Sequence, residues 1–169
     1  MSMKDRRIGI YGVATAVGAL LLAPAAAQAQ AMSAKEYVTA AAASDLYERE
    51  SSKIVLSSTS NPKLREFAQM MVAHHTNSTE EVKAAAKASG LKPMPPKLTP
   101  AQSEMIAQLN SETGTARDSA HIAQQKMAHN QALAVQQAYA REGTAKPLRD
   151  AAGKIVPVVE QHITMLKSM

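Results

Sequence analysis

The chain has 169 residues, with no cysteine, no tryptophan, one phenylalanine and four tyrosines. Without cysteine there is no disulfide, no iron–sulfur cluster, no thiolate zinc site and no lipid-bearing cysteine. A domain of about 140 residues must then rest on its core alone, which is feasible because a chain of that size buries roughly two-thirds of its surface. So few aromatics leave no stacking platform for single-stranded nucleic acid. No G-x-S-x-G, glycine-rich phosphate loop or H-E-x-x-H is present, which removes the common hydrolase and nucleotide signatures. The period-two alternation of strands is absent, and with it the ~10-residue alternating segments of a membrane barrel. The fold class is all-α.

The amino-terminal 31 residues read as a segment to be removed. Lys4, Arg6 and Arg7 precede an apolar run from Ile8 to Ala23, and Pro24 to Ala31 offers small-x-small cleavage sites after Ala27, Ala29 or Ala31. This is a secretory signal peptide, too short and wrongly flanked for an anchor. The Arg6-Arg7 pair is followed by Gly9 where a twin-arginine signal has a large apolar residue. Loss of Lys4, Arg6, Arg7 and Asp5 lowers the formal charge from +5 to +3. That mild basicity with mixed signs is a solubility property and no nucleic-acid footprint. Residues 32–169 lack an apolar run long enough to span a bilayer, and the expected compartment is the periplasm.

Within 32–169 four long helices are predicted. Ser33 with Glu36 forms a capping box opening a helix that runs to about Ser58. Asn61-Pro62 caps a second, closed by Gly90. Pro93, Pro95 and Pro96 forbid helix until Thr99-Pro100-x-Gln102 starts a short one that stops near Gly114. The third long helix covers about Thr115 to Arg141, and the fourth opens at Lys146-Pro147 and carries Pro157, which should bend it. Two helical hairpins joined by one long crossover is the ferritin-like arrangement of a four-helix bundle.

Polar residues interrupt the buried stripes of these helices. Leu64, Ala68, Met71, His75, Ser78, Val82 and Ala85 form a core-facing line with one imidazole in it; Leu148, Ala152, Ile155, Val159, His162 and Leu166 form another. Glu48 and His129 stand in comparable places on the other two helices. At ~1.5 Å rise per residue, the members of each hairpin differ in height by only ~3–5 Å, and all four fall near the midplane of helices this long. An ionisable group on a buried face needs a partner, because burying it unpaired costs several kcal/mol.

Three neutral imidazoles and a carboxylate suit zinc, copper, iron or nickel. Glu48, His75, His129 and His162 are therefore the candidate metal ligands, with Glu50, His74, Met71 and Met165 as supplementary candidates. Met71 lies four residues before His75 and Met165 three after His162, and soft sulfur beside imidazole would favour copper(I). The bland alternative is a buried hydrogen-bonded layer, with methionines as core filler. Asp45, Glu80 and Glu81 read as solvated helix charges, and His121, two turns before His129, as too high to join. A standard ferritin carries Glu-x-x-His on two helices; this chain has none, which argues against ferroxidase chemistry.

The stretches Asp45-Leu46-Tyr47-Glu48-x-Glu50-Ser51-Ser52-Lys53, Asn61-Pro62-x-Leu64-x-x-Phe67-Ala68-x-x-Met71-Val72-x-His74-His75-Thr76, Met127-Ala128-His129 and Val156-Pro157-x-x-x-x-His162 resemble an exported bacterial family. It is domain-of-unknown-function family 4142, whose members are often labelled outer-membrane proteins. The resemblance covers nearly all of the chain after the leader. It implies a ferritin-like bundle, with the family's hallmark Glu and three His at Glu48, His75, His129 and His162. His74 stands where the family usually has Asp. Arg117-Asp118-Ser119-Ala120-His121 replaces a Phe-Asp-x-x-Tyr segment, so both departures bring in an extra imidazole. The expected function is transition-metal binding for metal handling or envelope stress tolerance rather than turnover, since four protein ligands leave little open coordination. The alternative expectation is a structural or partner-binding periplasmic protein.

Overall fold

The computed structural model describes residues 32–169, and the expected leader lies outside them. Five α-helices follow in order, with no strand among the described residues: α1 Ala34–Leu56, α2 Pro62–Ala88, α3 Pro100–Ser111, α4 Gly114–Glu142 and α5 Lys146–Lys167. Among them, no helix is long and apolar enough to cross a membrane.

The helix starts follow local chemistry. The Ser33 hydroxyl accepts from the Glu36 N–H at 3.3 Å while the Glu36 carboxylate accepts from the Ser33 N–H at 2.9 Å. Asn61 Oδ1 accepts from the N–H groups of Lys63 and Leu64, and Pro62 supplies a first residue with no N–H to satisfy. Thr99 and Gln102 repeat the capping box on α3. At the far end of α2, Gly90 takes φ +74°, and Leu91 N–H returns to Ala86 O at 2.9 Å. That left-handed closure favours glycine. α5 runs through Pro157 as a continuous helix.

α1 packs chiefly on α2 and α4 on α5; the two hairpins meet through α2 against α5 and α1 against α4, with α3 lying over α1 and α4. Leu91, just past α2, packs at one end against the apolar cluster that includes Val82 and Ala86. At the other end Arg117 donates to the carbonyls of Leu109 and Glu112 and to the Ser58 hydroxyl, while Thr59 donates to Asp118 at 2.8 Å. The segment between α2 and α4 therefore travels the length of the molecule.

Two apolar clusters fill the ends. One gathers Tyr37 and Tyr139, stacked at 4.0 Å between ring centroids, with Val82, Leu148, Ala152 and Ile155. The other holds Val55, Leu64, Phe67, Met71 and Leu166. The site lies between them.

Candidate metal centre

Reading along α2, the buried residues pass from Phe67 and Met71 in one cluster, through His75 and Thr79, to Val82 in the other. α5 passes from Ile155 and Val159 through His162 to Leu166. On α1 the sequence is Tyr37 and Ala41, then Asp45, Glu48, Ser51 and Ser52, then Val55. α4 contributes His129 and Gln125 at the same level. Each long helix thus carries its polar residues into one layer, as the equal heights required. Glu48, His129 and His162 are at most 1% exposed, and His75 is 6% exposed.

Three of the predicted residues converge. His75, His129 and His162 each offer a ring nitrogen, and the three atoms lie within 4.8 Å of one another. Nε2 of His129 stands 3.2 Å from Nδ1 of His162. An ion held by two imidazoles in tetrahedral geometry sets their nitrogens ~3.3 Å apart, so this pair already has the required spacing.

The opposite nitrogen of each ring has a partner outside the cluster. Nδ1 of His75 donates to Asp45 Oδ1 at 2.8 Å, Nδ1 of His129 donates to the Gln125 carbonyl at 2.9 Å, and Nε2 of His162 faces His74 Nδ1 at 2.9 Å. These contacts leave His75 Nε2, His129 Nε2 and His162 Nδ1 turned inward. Outer partners of this kind fix the tautomer and orientation of metal-ligating histidines. His75 Nε2 has no hydrogen-bond partner.

Glu48 is brought into the layer but not into the triad. Its Oε1 lies 3.7 Å from Nδ1 of His129, behind that ring, and neither carboxylate oxygen has a hydrogen-bond partner. Burial pushes its pKa up to about 7, against the charge of His75, which pulls the other way. Burial also disfavours the charged form of His75, but the Asp45 hydrogen bond and the charges of Glu48 and Asp45 outweigh it and raise its pKa. Burial holds His129 down to about 4 and His162 to about 2, with the neighbouring imidazoles adding to both. Burial thus favours the neutral imidazole at His129 and His162 and the protonated carboxyl at Glu48, while the hydrogen bond to Asp45 favours the charged form of His75.

Asp45 corrects the sequence reading. It is no solvated charge: it is 5% exposed and also accepts from Ser78 at 2.6 Å. Arg49 closes this corner by donating to the His75 carbonyl and to Thr79. The available signal was spacing, since Asp45 falls four residues after Ala41 and three before Glu48, inside a buried face wider than one line of side chains. Glu80 and Glu81 are exposed as read, Glu80 pairing with Lys83.

The supplementary candidates part company. His74 is half-buried and touches the cluster through His162, its ring stacked on that of His162 at 5.1 Å. Glu50 lies at the surface in a pair with Lys53 at 2.9 Å. Met71 and Met165 belong to the apolar cluster around Phe67, Met71 fully buried and Met165 at its margin. His121 is fully buried beside the layer, with both nitrogens unpartnered and its pKa pushed down to about 4 by burial; it is outside the triad.

A family model described as "Domain of unknown function (DUF4142)" matches residues 20–169, and the chain belongs to that family. No curated protein and no solved structure matches the chain.

Proposed function

We propose that this member of the DUF4142 family is a ferritin-like four-helix bundle that binds one transition-metal ion through His75, His129 and His162, with Glu48 as the fourth group, and serves metal handling or envelope stress tolerance. One observation carries the reading. Three imidazoles from three helices turn one nitrogen each toward a common point, and every opposite nitrogen is held by a separate partner. A bundle core is a usual place for such a centre. The donor set of neutral imidazoles plus one carboxylate suits zinc, copper or iron. The placing of Met71 and Met165 in the apolar core favours an imidazole site over a thioether one.

A bound cation would also relieve Glu48, whose buried oxygens otherwise lack any donor. The carboxylate must turn from behind His129 to reach the ion. With Glu48 as ligand the coordination shell is closed, which favours holding a metal over turning over a substrate. Exit to the periplasm by way of a cleaved leader within residues 1–31 completes the proposal. A second reading is supported by the same bonds: His75–Asp45, His129–Gln125 and His162–His74 already form a hydrogen-bonded layer that would serve as a structural core.

Metal content after equilibrium dialysis, with melting curves in zinc, copper and iron, separates the two. One ion per chain and a melting rise of several degrees, both lost in His75→Ala, is the expected result. No retained ion, with His75→Ala merely lowering the melting temperature, would leave the structural reading.

A further inference from the structure

His75, His129 and His162 are buried, so an ion would have to reach them from solvent through an opening in the bundle. A cleft of about 240 Å³ opens between α2 and α5, with His74, His75 and His162 in its wall and Ser78, Glu81 and Lys154 around it. The clefts on the α1/α3/α4 side and along α4/α5 have no cluster histidine in their walls. His74 is half-buried, whereas His162 is fully buried, so His74 stands between solvent and the layer.

His162 faces two ways. Its Nδ1 looks inward to His129 Nε2 at 3.2 Å, and its Nε2 looks outward to His74 Nδ1 at 2.9 Å. The outer pair has nearly the nitrogen spacing of the inner one, and both approach the ~3.3 Å edge of a tetrahedral imidazole site. A neutral imidazole has a single lone pair. His162 can therefore serve an ion in the outer position through Nε2 or in the inner position through Nδ1, but not both.

We propose that His74 and His162 Nε2 form an entry site for a divalent cation in the α2/α5 cleft, from which the ion passes inward to His75, His129 and His162 Nδ1. This rests on the metal reading above. The passage exchanges the tautomer of His162: one proton leaves Nδ1, one is taken up at Nε2, and cleft water carries it, so the charge of the ring is unchanged. Afterwards the new Nε2–H donates to His74 Nδ1, which turns the entry ligand into an orienting partner. Glu81 draws cations toward the cleft and Lys154 opposes them.

The test uses zinc as probe, with stopped-flow loading and chelator stripping on the full chain after leader removal, wild type against His74→Gln. Gln keeps an acceptor for His162 Nε2–H but removes the imidazole ligand. Loading and stripping should slow together, about tenfold or more, with a much smaller change in the dissociation constant, since an entry site lowers a barrier in both directions. A weaker dissociation constant with an unchanged loading rate would reduce His74 to a positioning residue and overturn the proposal, as would no change at all. If the Gln variant fails to fold, Lys154→Glu at the exposed rim gives the decision: faster loading at low ionic strength supports the cleft as route, and an unchanged rate overturns it. Wild-type protein that binds no zinc, copper or iron would instead overturn the metal centre itself, and the entry site with it.

Discussion

The two ends of this molecule and its middle are held by opposite chemistries. At the ends, Tyr37, Leu148 and Ile155, or Phe67, Leu64 and Leu166, exclude water with side chains that make few directional demands. In the middle, four helices contribute imidazoles, carboxylates and amides, and Glu48, His75, Gln125 and His121 all keep buried atoms with no partner. Apolar burial stabilises whatever lies within it. A half-satisfied polar layer is worse than an apolar core of the same shape. A protein that carries one at the centre of its fold bears a cost that a bound cation would offset.

The sharpest way to break the comparison is to substitute in both regions. Leu148→Ala, at a fully buried end position, should cost about 2–5 kcal/mol in chemical unfolding and leave metal stoichiometry intact. His129→Leu in the layer should leave metal-free stability unchanged or raised, because an apolar group of similar size replaces a desolvated imidazole, while removing the metal response. Equal losses from both substitutions would erase the distinction between the regions.

Acid should expose the same contrast more gently. His129 and His121 are held near 4 and His162 near 2, all below the ordinary 6.5, so the unfolded chain takes up protons that the folded one refuses. Stability present above pH 6.5 is then lost as pH falls from about 6.5 toward 4. Glu48, raised from 4.5 to about 7, acts in the opposite sense: its folded form holds a proton that the unfolded form releases, so its contribution is full below 4.5 and lost as pH rises through 7. His75, raised by its Asp45 hydrogen bond and the charges of Glu48 and Asp45 against the pull of burial, acts in the same sense as Glu48, and the three lowered imidazoles outweigh the two. Urea unfolding of metal-free protein should show falling stability from pH 6.5 to 4, flattened in His129→Leu; a flat profile in wild type would contradict the burial of neutral histidines.

The smallest effect belongs outside both regions. Glu50→Ala removes an exposed pair with Lys53 and should change stability by no more than about 0.5 kcal/mol, with metal binding untouched. A larger loss would mean that Glu50 reaches the layer.

Much of this was legible because the interrupting residues sit in otherwise regular stripes. His75 between Met71 and Val82, and His162 between Val159 and Leu166, announce themselves against an apolar background, and capping at Ser33, Asn61 and Thr99 marks the helix starts. α4 is harder, since its buried face is His121, Gln124, Gln125, His129 and Gln136, with Tyr139. No apolar period marks such a face, and His121 looked too far along the helix to matter although it is fully buried. Asp45 escaped for a related reason: a carboxylate reads as surface unless its partner is known, and that partner, His75, comes from another helix. Pairings across helices, such as His162 with His74 on one side and His129 on the other, depend on ring direction, which residue spacing does not carry.

The most direct test of the central claim is X-ray absorption spectroscopy on the chain loaded with one equivalent of zinc. Three imidazole nitrogens at ~2.0–2.1 Å with one oxygen ligand, falling to two imidazoles in His162→Ala, is the predicted result. A shell of oxygens without the imidazole scattering pattern, or a spectrum indifferent to His162, would show that the three rings do not share an ion.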